Sequence, residues 1–170
     1  MNAVDLAEDD SALPEGRFSG RTEFGDLIRR AFQAAATQGW REIIICDADF
    51  EDWPLGERAV TSALGDWSRT GRKLTMIARS YDALTRRHPR FVTWRQTWSH
   101  IVECRGSASG PSDTIPSAMW TPNWVFERLD LERSAGYSGH EAARRVAIKE
   151  CLNERLLKSV PAFPATTLGL

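Results

Sequence analysis

Apolar residues recur at helical spacing along Arg21 to Gln38. Phe24, Leu27, Ile28, Ala31, Phe32 and Ala35 share one face, and Gly39 supplies a left-handed stop. The pattern then changes. Ile43-Ile44-Ile45-Cys46 is a short β-branched run without alternation, which predicts a strand buried on both faces. Trp53-Pro54-Leu55-Gly56 reads as a loop, and residues 57–70 as a second helix with Val60, Ala63, Leu64 and Trp67 on one face. Leu74 to Ala78 is a second buried strand. Strand, helix and strand with short links predict a right-handed crossover unit.

Further on, the spacing predicts a short helix over 80–87, another from Pro89 to Ser99, and a third strand over Ile101–Cys104. Phe91, Trp94 and Trp98 fall on one face of the second of these helices. Residues 106–116 are rich in Gly, Ser and Pro and read as a loop. Strands follow over Ala118–Trp120 and Trp124–Leu131. A last helix over 140–158 carries an apolar stripe of Ala143, Val146, Ala147, Cys151, Leu152 and Leu156. The pattern predicts one α/β domain over residues 21–170, with a mostly parallel central sheet flanked by helices and an apolar C-terminal tail. Residues 1–20 read as a flexible leader.

The chain is 170 residues long, enough for a single core. Its 22 basic and 23 acidic residues leave a net charge of -1, so binding to nucleic acid or to an anionic membrane needs a local patch. Cys46, Cys104 and Cys151 show no metal or redox spacing and suit buried thiols in a reducing compartment. No cofactor or metal is expected. No apolar run is long enough to span a bilayer and no secretory signal is present, which leads us to expect a cytoplasmic protein.

Two segments carry candidate chemistry. Asp47 and Asp49 end the first buried strand, where open parallel sheets place ligands, and Glu51, Asp52 and Glu57 follow. Such oxygen donors suit magnesium, and equally suit turn and helix capping. Basic residues are dense from Arg69 to Arg95, among Phe91, Trp94 and Trp98. Arg79, Arg86, Arg87, His88, Arg90, Arg95 and His100 are the candidate ligand-binding residues there, because arginines and aromatics together hold phosphates and stack bases. The same arginines could instead pair with the acidic segment.

Two family resemblances follow. Ile43 to Asp49 resembles the first motif of haloacid-dehalogenase-type phosphatases, which implies Asp47 as nucleophile and Asp49 as acid/base, with Ser80 imitating the second motif. Phe50-Glu51 departs from that motif, and no later paired-aspartate motif is present. Over residues 21–158 the order of elements and the segment Thr70-Gly71-Arg72-Lys73-Leu74-Thr75-Met76-Ile77 resemble one lobe of the phospholipase D-like superfamily. Asp49 to Arg105 looks more closely like an uncharacterised bacterial family related to those lobes.

That superfamily uses His-x-Lys-x-x-x-x-Asp. The best placement here ends at Asp130 and puts Asn123 and Val125 where His and Lys belong, which removes the nucleophile and the phosphate-neutralising charge. The resemblance therefore implies a non-catalytic, homodimeric binding or regulatory module, with a phosphate-bearing ligand as a candidate partner. Two alternatives stand beside it: a metal-dependent phosphoryl-handling enzyme using Asp47 and Asp49, and nucleic-acid binding through the Arg/Trp-rich 69–98 region.

Overall fold

The computed structural model describes residues 12–107 and 115–165. Part of the expected leader, part of the 106–116 loop and the end of the apolar tail lie outside the described residues. The first helix, α1 (Arg21–Gln38), takes the predicted span and ends on Gly39, whose φ of 66° is left-handed and whose N–H reaches the Ala35 carbonyl. The first buried run is β2 (Glu42–Cys46). It is followed by α2 (Arg58–Ser68), β3 (Lys73–Ala78), α3 (Asp82–Arg87), α4 (Pro89–Thr97) and β4 (Val102–Gly106). Parallel pairing sets Glu42 against Lys73 and Leu74 against Val102.

The expected mostly parallel, phospholipase D-like sheet is not what forms. The sheet has eight strands in the order β1-β7-β6-β5-β2-β3-β4-β8. Only β2–β3 and β3–β4 pair in parallel. The other neighbours are antiparallel: β1 (Gly16–Phe18), β7 (Ala135–Gly139), β6 (Val125–Asp130) and β5 (Ser117–Trp120) on one side, and β8 (Val160–Pro161) on the other. The reason lies in the connections. Helical crossovers join β2, β3 and β4, whereas β5 to β6 and β6 to β7 are joined by turns of a few residues, which can link only antiparallel strands. Within the stretch read as a leader, Leu13 and Phe18 are buried, and the Pro14 carbonyl accepts from Trp124 Nε1 and Ser138 Oγ.

The two faces of the sheet bury different cores. On one, α1, α2 and α4 cover Ile43, Ile45, Leu74, Met76, Val102 and Cys104, with an aromatic group of Phe18, Phe24, Trp53, Trp124 and Phe126 at its antiparallel end. On the other, α5 (Ala142–Leu157) lays Ile148, Leu152 and Leu156 over Ile44, Cys46, Ile77, Trp120 and Val125. Six of the seven tryptophans are buried in these cores; Trp98 alone is half-exposed. Burial pushes the Cys104 thiol up to about 11, so this cysteine stays protonated.

Candidate functional site

The parallel strands have two ends, and charged residues collect at both. At the carboxyl end a cleft of about 390 Å³ is lined by Asp47, Asp49, Glu51 and Asp52 together with Arg21, Arg87 and Arg128. Its floor is a closed network. Asp47 Oδ2 accepts the N–H groups of Asp49 (3.2 Å) and Phe50 (2.8 Å), which holds the turn after β2. Asp47 Oδ1 accepts from Arg128 Nη2 at 3.0 Å, and Arg128 also forks onto Asp52 at 2.5 and 3.2 Å. The Arg128 guanidinium lies 4.1 Å above the Phe24 ring, and its side chain is 3% exposed.

Asp47 has both oxygens engaged, and Asp49 Oδ1 caps the N–H of Glu51 at 3.0 Å. Among the described residues no group of three or more His, Cys, Asp or Glu side chains is placed to hold a metal ion. Asp130, at the end of β6, is exposed enough to cap the next turn, accepting from the Arg133 N–H at 2.9 Å, while Val125 is fully buried. Four carboxylates face three guanidiniums in this cleft, so its charge does not favour a phosphate.

The predicted ligand-binding residues do not converge. Arg79, Arg86, Arg87 and Arg90 stay near the carboxyl end. Arg87 pairs with Glu51 at 2.9 Å, Arg90 donates to the Gly56 carbonyl at 3.2 Å, and Arg86 turns back to the Asp82 carbonyl at 3.4 Å. Arg79 follows β3, with its backbone N–H on the Ala48 carbonyl. His88 is a buried brace between α3 and α4: its Nε2 meets the Phe50 carbonyl at 3.1 Å and its ring packs against Gly56. Arg95 is buried under the C-terminal strand, and His100 lies at the opposite end of the sheet.

At that amino-terminal end the fold gathers a different set. The Arg41 carbonyl accepts the N–H groups of Arg72 and Lys73, so the approach to β2 lies against the approach to β3. Two buried tryptophans fix both turns: Trp67 Nε1 donates to the Trp40 carbonyl, and Gly71 lies flat on the Trp67 ring, where a Cβ would sit 2.3 Å from it. With their backbones held, Arg41, Arg69 and Arg72 point to solvent. Continuing the β3–β4 register two places back sets Arg72 level with His100, which is exposed and lies 5.7 Å from the Trp98 ring at a tilt of 37°. Of the nearby acids, Glu42 pairs with Lys149 and Glu103 with Lys73, while Asp66, one turn before Arg69, is exposed. Among the described residues no ion pair involves Arg41, Arg69 or Arg72.

Sequence reasoning placed Arg69, Arg72 and His100 in the basic region but missed Arg41. It lies far upstream, and only the parallel pairing of β2 with β3 brings it beside Arg72.

No family model matches the sequence, and no curated protein matches it. Among solved structures the fold is similar to that of TrmBL2, described as an archaeal chromatin protein with a novel mode of DNA binding. The TM-score is 0.65 at 15% sequence identity, over 92% of this chain and 57% of that one. The chain thus spans little more than half the length of that protein, and the likeness is one of fold. It overturns the expected phospholipase D-like lobe. The homodimer, the bacterial origin and the reading of Asn123, Val125 and Asp130 as a degenerate catalytic motif lose their support with it. No helix among the described residues is long and apolar enough to cross a membrane.

Proposed function

We propose that this protein binds nucleic acid through the amino-terminal end of its parallel strands. The observation that carries the reading is the group of exposed arginines Arg41, Arg69 and Arg72, with no ion pair among the described residues, beside His100 and Trp98. A guanidinium without an acid partner is available to a phosphate and releases counterions when it binds one. At the other end of the sheet Arg87, Arg128 and Arg90 are already spent on Glu51, on Asp47 and Asp52, and on a backbone carbonyl. That contrast reconciles binding with a net charge of -1. The fold's likeness to a DNA-binding chromatin protein supports the same class of partner.

Fluorescence anisotropy with labelled duplex and single-stranded DNA at two salt concentrations tests the reading. Binding should weaken steeply with salt. The Arg41→Ala/Arg72→Ala variant should bind more weakly and lower the log–log salt slope by roughly two, about one per lost phosphate contact. Arg86→Ala/Arg90→Ala, at the other end of the sheet, should bind as the wild type does. Absence of binding at low salt, or equal loss in both variants, defeats the proposal.

A further inference from the structure

The C-terminal strap crosses the β4 edge and ends in an arrangement that self-packing does not complete. After β8 the Ala162 N–H reaches the Cys104 carbonyl at 3.0 Å, and the chain then turns Phe163 inward. The Phe163 ring lies parallel to Tyr81, with centroids 5.0 Å apart and 5° between planes. The Tyr81 hydroxyl is anchored on the carbonyls of Met76 (3.2 Å) and Arg105 (2.8 Å), so its ring is a fixed platform. On the other side, Arg95 places its guanidinium 6.0 Å from the Phe163 centroid and donates from Nη2 to the Phe163 carbonyl at 3.2 Å.

Three features of this stack call for an occupant other than phenylalanine. Arg95 is only 6% exposed and its guanidinium faces the Cys104 thiol, yet among the described residues its Nε and Nη1 meet no oxygen acceptor and no carboxylate pairs with it. A buried guanidinium left so is costly, and it is satisfied by an acceptor in its own plane. Phe163 has a φ of 46°, a left-handed conformation that a bulky side chain rarely adopts, so the strap is held under strain. Finally, β8 pairs through two residues and Val160 is 51% exposed, so the strap is held chiefly by Arg105 on Ser159 and by the Ala162 N–H.

We propose that Phe163 occupies a slot for an unpaired pyrimidine base, which stacks on Tyr81 and presents a carbonyl oxygen to the Arg95 guanidinium once the strap lifts. A six-membered ring with acceptors at its edge fills the space of the phenyl ring and supplies what it lacks. Aromatic platforms with a neighbouring arginine hold single-stranded bases in this manner. The slot deepens the nucleic-acid reading and rests on it for its ligand class, but uses none of Arg41, Arg69 or Arg72.

The test uses thymidine 5′-monophosphate, labelled oligothymidylate and labelled duplex DNA. Because self-occupancy scales the apparent affinity by the open fraction, about one tenth, Phe163→Ala should bind the monophosphate and the oligothymidylate about tenfold more tightly than the wild type. Duplex affinity should not change, and adding Arg95→Met should remove the gain. No gain in Phe163→Ala, or a gain that survives Arg95→Met, overturns the slot. If Phe163→Ala loses its native near-ultraviolet circular dichroism, hydrogen exchange on the wild type decides. Saturating monophosphate should deprotect the Ala162 amide; unchanged protection overturns the proposal. Duplex binding without a monophosphate response removes the slot alone. A monophosphate response without duplex binding removes the surface reading alone.

Discussion

Arg128 decides the character of the carboxyl-terminal cleft. It is buried between Asp47 and Asp52, also reaches Ser117 Oγ at 3.1 Å, and covers Phe24. Two carboxylates converge on it, and removing it strands both, one of them buried. Arg128→Met should therefore destabilise the protein by roughly 3–5 kcal/mol in urea unfolding. Arg128→Lys should rescue only part of that loss, because a single ammonium cannot fork onto two carboxylates. A change below about 1 kcal/mol would mean that the network is ornamental. The sequence showed Asp47 and Asp49 as a possible chemical pair, yet nothing in it linked either to Arg128, which is distant along the chain. β5 intervenes between their strands, so their contact follows from the depth of the cleft.

Between elements, α1 and the start of α2 are tied by Arg29. Its Nε and Nη2 donate to both oxygens of Glu57 at 2.7 and 2.8 Å, and Nη1 donates to Asp26 at 2.6 Å. The guanidinium holds the Glu57 carboxyl below the usual carboxylate range. A depressed folded-state value stabilises the protein above the unfolded value, and that contribution disappears as the pH falls through the folded one. Both side chains are more than a third exposed, at 39% and 44%, so solvent screens the pair to about 0.5 kcal/mol. Arg29→Ala should lose about that much at pH 7, and the gap to the wild type should close below roughly pH 4 in thermal unfolding. A gap that persists in acid would assign the effect to packing. At the same scale, α5 shows how a readable pattern can mislead. Ala143, Val146, Ala147 and Cys151 of its broad stripe are exposed, while Ile148, Leu152 and Leu156 make the contact. A helix with small apolar residues on several sides does not announce which line will be buried.

For the molecule as a whole, the antiparallel half of the sheet depends on β7, whose sequence Ala-Gly-Tyr-Ser-Gly carries little strand propensity. Gly136 permits the close approach to β6: a Cβ there would lie 2.0 Å from the Glu127 carbonyl oxygen and 2.8 Å from the Arg128 Cα. These are backbone atoms and cannot step aside cheaply. Gly136→Ala should cost about 3 kcal/mol. The melting temperature should fall by roughly 6–12 °C, because β1 pairs only through β7 and would loosen with it. A melting temperature within about 1 °C of the wild type would show that this half of the sheet adds little to stability.

Periodicity alone determined α1, α2 and the buried parallel strands, because burial on a helix face or a central strand writes itself into the spacing of side chains. Edge strands such as β1 and β8, and a glycine-rich strand such as β7, bury little of their own and leave no such trace. Their place was decided by pairing with neighbours that were already buried. The same holds for the charges. The sequence shows where arginines are dense, but whether each meets an acid, a carbonyl or solvent depends on which distant strand lies beside it. The parallel register of β2 and β3 put Arg41 next to Arg72, and the strap put Phe163 between Tyr81 and Arg95. Charge density is local to the chain, while charge compensation exists only in three dimensions.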